Sequence, residues 1–251
     1  MRHWTQLATA EIPGTDKQLM LFESKDDFHI KITGGVELMS TRKHGSEDAL
    51  GRLACEHIAA TSSAEVLIGG LGMGFTLATA LAMLGDTAKV TVAELIPDVV
   101  EWNRGPLGAH SRYPLNDPRC EVEIDDVCSV LRNATARYDA IALDVDNGPE
   151  GLTQHSNSWL YSDSGIQTTR RALTPSGVIA YWSAGPDQPF ATRLRQNGLQ
   201  VTEHRVYAHG NKGTAIPSGW RKPKKHAVRH QIDTVCLHQR SSRLLTNSAC
   251  L

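Results

Sequence analysis

Gly70-Leu71-Gly72-Met73-Gly74 lies between an apolar, β-branched run, Glu65-Val66-Leu67-Ile68, and an alanine- and leucine-rich stretch that starts at Phe75. Bare backbone at a strand-to-helix turn lets a ligand come close to the carboxyl edge of a sheet. The dinucleotide spacing G-x-G-x-x-G is not met, because Phe75 or Leu77 falls where the third glycine is required, and no Gly-Lys-Ser/Thr follows to complete a phosphate loop. What remains is close approach to a nucleoside without a pyrophosphate, or a tight turn with no ligand. Glu94, 20 positions beyond Gly74, ends a second strand pattern. An ionised carboxylate offers only acceptors and a ribose diol offers two donors, so the pair is complementary. Asp125 and Asp126 end a third strand pattern beside the expected base of such a nucleoside, and strand periodicity leaves open which of them points inward. After a fourth, Tyr138 to Leu143, come Asp144 and Asp146, on one face of an extended chain and able to act on one amine. Two acids that close raise one pKa, which suits a proton acceptor; an Asx-type turn ending a strand is the plain alternative.

The elements that must carry these residues alternate. Strand patterns cover residues 65–68, 89–94, 120–124, 138–144, 177–182, 200–207 and 231–238, and helical patterns cover 75–84, 97–103, 162–173 and 189–197. Alternation of this kind predicts an α/β fold built on a doubly wound, mostly parallel sheet. No convincing helix lies between the last two strands, so they are expected to close the sheet as a hairpin-like antiparallel pair. Ahead of residue 63 the pattern changes to short strands at 18–22, 29–33 and 36–39, then a helix over 47–60. The division expected is a small β-rich segment with a linking helix, 1–62, and a donor-binding and catalytic domain, 63–251.

Composition narrows the class. The chain has 251 residues, 40% hydrophobic and 21% charged, with 26 Lys+Arg against 27 Asp+Glu, which excludes disordered and collagen-like chains. From Val66 to Gly85 no residue is charged, yet Gly69, Gly70, Gly72 and Gly74 crowd its first half, so no membrane span is expected there. The five cysteines form no C-x-x-C pair and no apolar leader opens the sequence, which leads us to expect reduced thiols and a cytoplasmic location. His226 and His230 lack the glutamate of a zinc-protease helix, so no metal is expected. Between His204 and Arg243 nine Lys/Arg stand against the single acid Asp233. Aromatic residues are sparse among these bases, with Trp220 beside their densest cluster, so we expect a solvated basic loop and no nucleic-acid partner.

The run His44-Gly45-Ser46-Glu47, Ile68 to Gly74, Ala93-Glu94-Leu95, Asp125-Asp126-Val127 and Tyr138 to Asp144 resembles the spermidine synthase-like branch of the class I S-adenosylmethionine (AdoMet)-dependent transferases, over about residues 19–238. The resemblance implies a Rossmann-like, seven-stranded, mostly parallel sheet, the class I methyltransferase fold, behind a small N-terminal β-rich segment. It implies AdoMet or its decarboxylated form as donor and a small-molecule acceptor. Gly70, Gly72 and Gly74 match the donor loop, Glu94 with Leu95 the ribose side, Asp126 with Asp125 and Val127 the adenine side, and Asp144 the aspartate that deprotonates the acceptor amine. His44 and Glu47 fall where the family has Tyr-His-Glu on the acceptor side. Asp146 is expected to orient the acceptor, and His44 to serve as a second-rank base. Trp159, Tyr161 and Trp182 either wall the acceptor pocket or fill the core. The β-rich segment resembles parts that pair across homodimers in this family.

The chain departs from that pattern in the donor loop and in the acidic run after the fourth strand, where Asp144-Val145-Asp146-Asn147-Gly148-Pro149 stands in place of Asp-x-x-Asp-Pro. Spermidine synthases read Gly-Gly-Gly-Asp-Gly-Gly in the donor loop, and Gly72 stands where their aspartate holds the aminopropyl ammonium. On that ground methyl transfer is the first expectation and aminopropyl transfer the second. A non-catalytic nucleoside-binding protein is the third.

Overall fold

The computed structural model describes residues 4–145, 157–183 and 186–206, and the backbone of 233–239. Two sheets organise these residues. The first is antiparallel, with β1 (Thr5–Glu11), β2 (Gln18–Ser24), β3 (Asp27–Ile32) and β4 (Glu37–Ser40) in sequential order. One face of it, with Leu19, Leu21, Ile30 and Ile32 all under 8% exposed, packs into the main core. β1 is a strand the sequence patterns do not show, because its edge strand is largely exposed and its apolar residues are mostly alanine. Helix α1 (Gly45–Cys55) follows, shorter than the expected 47–60 because the chain turns at residues 56–60.

The second sheet is built from β5 (Glu65–Gly69), β6 (Lys89–Glu94), β7 (Cys120–Ile124), β8 (Tyr138–Leu143) and β9 (Leu173–Ser183), all pairing in parallel. Between them run α2 (Phe75–Met83), α3 (Pro97–Arg104), α4 (Val127–Asn133), a short α5 (Asn157–Leu160) and α6 (Asp163–Ala172). After α7 (Gln188–Gln196) come β10 (Gln200–Val206) and β11 (Asp233–Gln239), giving the order β10-β11-β9-β8-β5-β6-β7. The α/β class with an N-terminal antiparallel segment is as the sequence indicates. The closing pair is not: β11 pairs in parallel with both β9 and β10. A hairpin needs only a short turn, and parallel strands need a crossover of a dozen or more residues. The 26 residues between Val206 and Asp233 exceed that length.

Strand chemistry explains the layers. β5 and β8 sit centrally and read as continuous buried runs, as parallel strands covered on both faces must. Alternate residues feed two cores, one shared with α1, α2, α3 and the N-terminal sheet, the other with α4, α6 and α7. The order reverses between β5, whose next neighbour is β6, and β8, whose next is β9. That reversal opens a crevice at the carboxyl ends of β5 and β8, the usual ligand position in such sheets. The glycine loop and Asp144 follow directly from those two strand ends.

Candidate active site

Three backbone hydrogen bonds set the glycine loop. Gly70 N–H donates to Ala93 O at 2.9 Å, Gly74 N–H to Leu71 O at 2.9 Å, and Asp144 N–H to Gly69 O at 2.9 Å. The turn carries positive φ at Gly70 (89°) and Gly72 (53°), conformations that residues with a Cβ rarely adopt. At Gly70 a Cβ would lie 2.6 Å from the Asp144 carbonyl oxygen, so the loop and the end of β8 touch backbone to backbone. Gly70 and Gly72 line a cavity at the crevice, together with Glu94, Leu95, Asp125, Asp126, Val127 and Asp144. Gly74 does not line it: Gly74 is the N-cap of α2 and faces the side chains of Asn103 and Ser111.

Glu94 is 7% exposed, and both of its oxygens are engaged. Oε2 accepts from Leu71 N–H at 2.8 Å and Oε1 from Ile96 N–H at 2.9 Å. Burial pushes its carboxyl above the usual range, against the pull of these backbone donors. Each carboxylate oxygen has a second acceptor site, so Glu94 ties the loop to β6 and retains capacity for a diol. Asn103, fully buried on α3, adds a tie the sequence reading missed, donating from Nδ2 to Gly72 O at 2.8 Å. A polar residue on the inward stripe of an amphipathic helix was the available signal.

The two acids after β7 take different roles. Asp126 caps α4, its Oδ1 accepting from Cys128 N–H at 2.9 Å, which turns that oxygen to the helix. Asp125 accepts Asp126 N–H at 2.7 Å on Oδ1 and is the more exposed of the two. Asp126 keeps its second oxygen, and both acids line the cavity, so the capping bond leaves the expected adenine-side role of Asp126 open.

On the acceptor side, Glu47, in the first turn of α1, reaches the cavity. Ser46 Oγ donates to its Oε2 at 2.6 Å, and burial raises its pKa. Trp182, near the end of β9, lines the same cavity. Leu38 and Met39 of the N-terminal sheet supply apolar wall, also unforeseen. Trp159 and Tyr161 are corrections: both pack on the opposite face of the sheet, Trp159 under the Arg132 guanidinium at 4.2 Å and Tyr161 edge-on to Phe190 at 5.0 Å. Asp146 and most of the basic segment 204–243 lie outside the described residues. Among the described residues no cluster of His, Cys, Asp and Glu could hold a metal ion, and no helix is long and apolar enough to cross a membrane.

His44 is a further correction. It lines a neighbouring cleft rather than the cavity of Asp144, stacked on Phe75 at 4.1 Å with Nδ1 2.8 Å from Asp48 Oδ2. The hydrogen bond to Asp48 raises its pKa, favouring the charged ring. A histidine titrating above its unfolded value stabilises the fold fully below that value and loses the contribution as pH rises through the folded one. The window therefore lies above 6.5. Titration of the His44 ring by NMR should give a pKa above 6.5, and Asp48→Asn should return it toward that value.

Residues 51–203 match the family model described as the spermine/spermidine synthase domain. A polyamine aminopropyltransferase of Mycobacterium tuberculosis (strain CDC 1551 / Oshkosh) is 26% identical over 200 residues, covering 76% of this chain and 36% of that protein. Polyamine aminopropyltransferase 1 of Streptomyces coelicolor is 29% identical over 199 residues, covering 78% and 35%. The chain thus spans about a third of the length of these relatives. A crystal structure of spermidine synthase in complex with the transition state analogue AdoDATO matches at a TM-score of 0.59 and 20% identity, over 76% of this chain and 63% of that one. That likeness is one of fold.

Proposed function

Because the chain belongs to the spermine/spermidine synthase family, we propose that it moves a 3-aminopropyl group from decarboxylated AdoMet to the nitrogen of a small amine. The observation that carries this reading is the placement of Asp144 against the donor loop at the switch point, in a cavity that also holds Glu47 and Glu94. A sulfonium donor and an amine acceptor are both cationic, and a cleft lined by acids draws both in. The names of the relatives support aminopropyl transfer ahead of methyl transfer, which reverses the order expected from Gly72.

The residues present suit such a donor. Glu94 retains acceptor sites for a ribose, Asp125 an oxygen for a base amine, and Gly70 and Gly72 clear the space for the chain of the nucleoside. In the reaction the amine lone pair forms the new C–N bond as the C–S bond breaks, and its electron pair returns to sulfur, leaving a neutral thioether. Asp144 takes the proton that the amine must lose. Most of the rate then comes from aligning two bound molecules and excluding water.

A second reading is methyl transfer from intact AdoMet. Gly72 offers no carboxylate to hold a donor ammonium, and a Cβ added there would meet Met39 Sδ at 3.4 Å. Titration calorimetry with AdoMet, decarboxylated AdoMet and methylthioadenosine, with mass spectrometry of the products, separates the two. Binding of the last two with aminopropylated product supports the proposal, binding of AdoMet with methylated product supports the alternative, and no binding of any nucleoside rejects both.

A further inference from the structure

Among the described residues, the acids Glu47, Glu94, Asp125, Asp126 and Asp144 line the cavity at the switch point, and no Lys, Arg or His does. Four of these acids belong to the ends of parallel strands: Asp125 and Asp126 follow β7, Glu94 ends β6 and Asp144 follows β8. The strand order β7-β6-β5-β8 sets the places for base, ribose, sulfur and reacting carbon in sequence along that edge. Glu47 enters from outside the sheet, in the first turn of α1. Its surroundings tie it to the glycine loop. Thr76, in the first turn of α2 and two residues beyond Gly74, donates from Oγ1 to Glu47 O at 3.3 Å. Met39, at the β4 end of the connection to α1, lies against Gly72, where an added Cβ would meet its Sδ at 3.4 Å. The connection from β4 to α1 therefore folds over the loop. Glu47 is half-buried, and its Oε2 accepts from Ser46 Oγ at 2.6 Å. It forms no ion pair among the described residues, and His44, three residues earlier, is paired with Asp48 instead. A carboxylate partly withdrawn from water, in a cavity whose described wall holds no cation, calls for a cation on the ligand.

We propose that Glu47 is a specificity-determining residue that pairs with the ammonium of the donor's aminopropyl group and so selects decarboxylated AdoMet over the intact molecule. The inference rests on the transferase reading above, and it gives to the donor an acid that the sequence resemblance placed on the acceptor side. The ammonium lies several bonds beyond the sulfur, where Gly72 has no side chain to meet it. Glu94 is engaged by the Leu71 and Ile96 N–H groups and faces the ribose. Asp125 and Asp126 stand at the far edge of the sheet, beyond β6. Asp144 must receive the acceptor's proton, which an ion pair with the donor would oppose. Leu38 and Met39, which the N-terminal sheet brings to the same wall, are apolar. Glu47 remains. Its charge also opposes intact AdoMet, whose carboxylate sits on the carbon that bears the ammonium.

The test is calorimetry on the full chain with decarboxylated AdoMet, intact AdoMet and the S-propyl analogue of the donor, which keeps the sulfonium and its carbon chain and lacks the ammonium. Decarboxylated AdoMet is expected to bind roughly 10- to 100-fold more tightly than the S-propyl analogue, the scale of one hydrogen bond to a charged group. It should also bind at least about tenfold more tightly than intact AdoMet. Glu47→Gln should remove the preference for the ammonium while affinity for the S-propyl analogue stays within about twofold, and Glu47→Asp, which keeps the charge, should retain part of the preference. With methylthioadenosine bound, the affinity for 1,4-diaminobutane should not change in Glu47→Gln. No ammonium preference in the unaltered chain, or one that survives Glu47→Gln, overturns the proposal. A loss of diamine affinity of about tenfold in that variant also overturns it, since Glu47 would then hold the acceptor. So does lost affinity for the S-propyl analogue, since Glu47 would then shape the loop. If the unaltered chain binds none of these nucleosides, the transferase reading falls and takes this inference with it; nucleoside binding without ammonium preference removes this inference alone.

Discussion

Asp144→Asn is expected to lower turnover by roughly 10²–10⁴-fold, the usual contribution of a positioned general base, while donor affinity changes by less than about twofold. The amide has the same shape and the backbone tie to Gly69 O does not depend on the side chain. It cannot accept the amine's proton. Because the base acts only to present an unprotonated nitrogen, the variant's rate should recover in part as pH rises toward the pKa of the free amine. The measurement is product formation at saturating donor, set beside a methylthioadenosine titration. A large loss of nucleoside affinity would mean that Asp144 holds the donor, and undiminished turnover would place the base elsewhere.

Gly70→Ala should cost both the fold and the site. Its φ of 89° places an alanine in a strained conformation worth about 1–2 kcal/mol. Its Cβ would lie 2.6 Å from the Asp144 carbonyl oxygen and 3.3 Å from that carbonyl carbon, both backbone atoms. Neither side can yield easily, since the Gly70 and Asp144 amides are bonded across β5, β6 and β8. Overpacking of this kind adds about 1–3 kcal/mol. Together these predict a fall in Tm on the order of 10 °C, and a loss of donor affinity of more than about 100-fold as the loop is pushed off Glu94. Gly14→Ala is the control: its φ of 77° brings the same strain with nothing within 4 Å of the added Cβ. It should lower Tm slightly and leave nucleoside binding intact.

Much of the cavity at the sheet edge was legible from local pattern because it rests on short-range geometry. A glycine turn after an apolar strand, an acid at the end of the next strand, and acids after the third and fourth all fall at one sheet edge once the strands alternate with helices. Gly70, Gly72, Glu94, Asp125, Asp126 and Asp144 accordingly meet in one cavity. Gly74 followed the motif in sequence and left it in space, because a loop that turns into a helix must end in a cap. The acceptor side was less legible. Trp159 and Tyr161 have the residue types of a pocket wall, yet α5 and the start of α6 pack behind the sheet. His44 has the chemistry of a base, yet it pairs with Asp48 one helical turn later and lines a neighbouring cleft.

Periodicity along the chain was enough to establish the α/β class, the parallel core strands and the glycine loop at the carboxyl edge of the sheet, since each of these follows from side-chain alternation and backbone freedom within a few residues. The parallel return of β11, the N-terminal sheet as a cavity wall, and the convergence of Glu47, Asp144 and Trp182 depended on contacts between segments far apart in sequence. Such contacts are chosen by how whole layers bury their apolar faces against each other, a long-range condition that no local window contains.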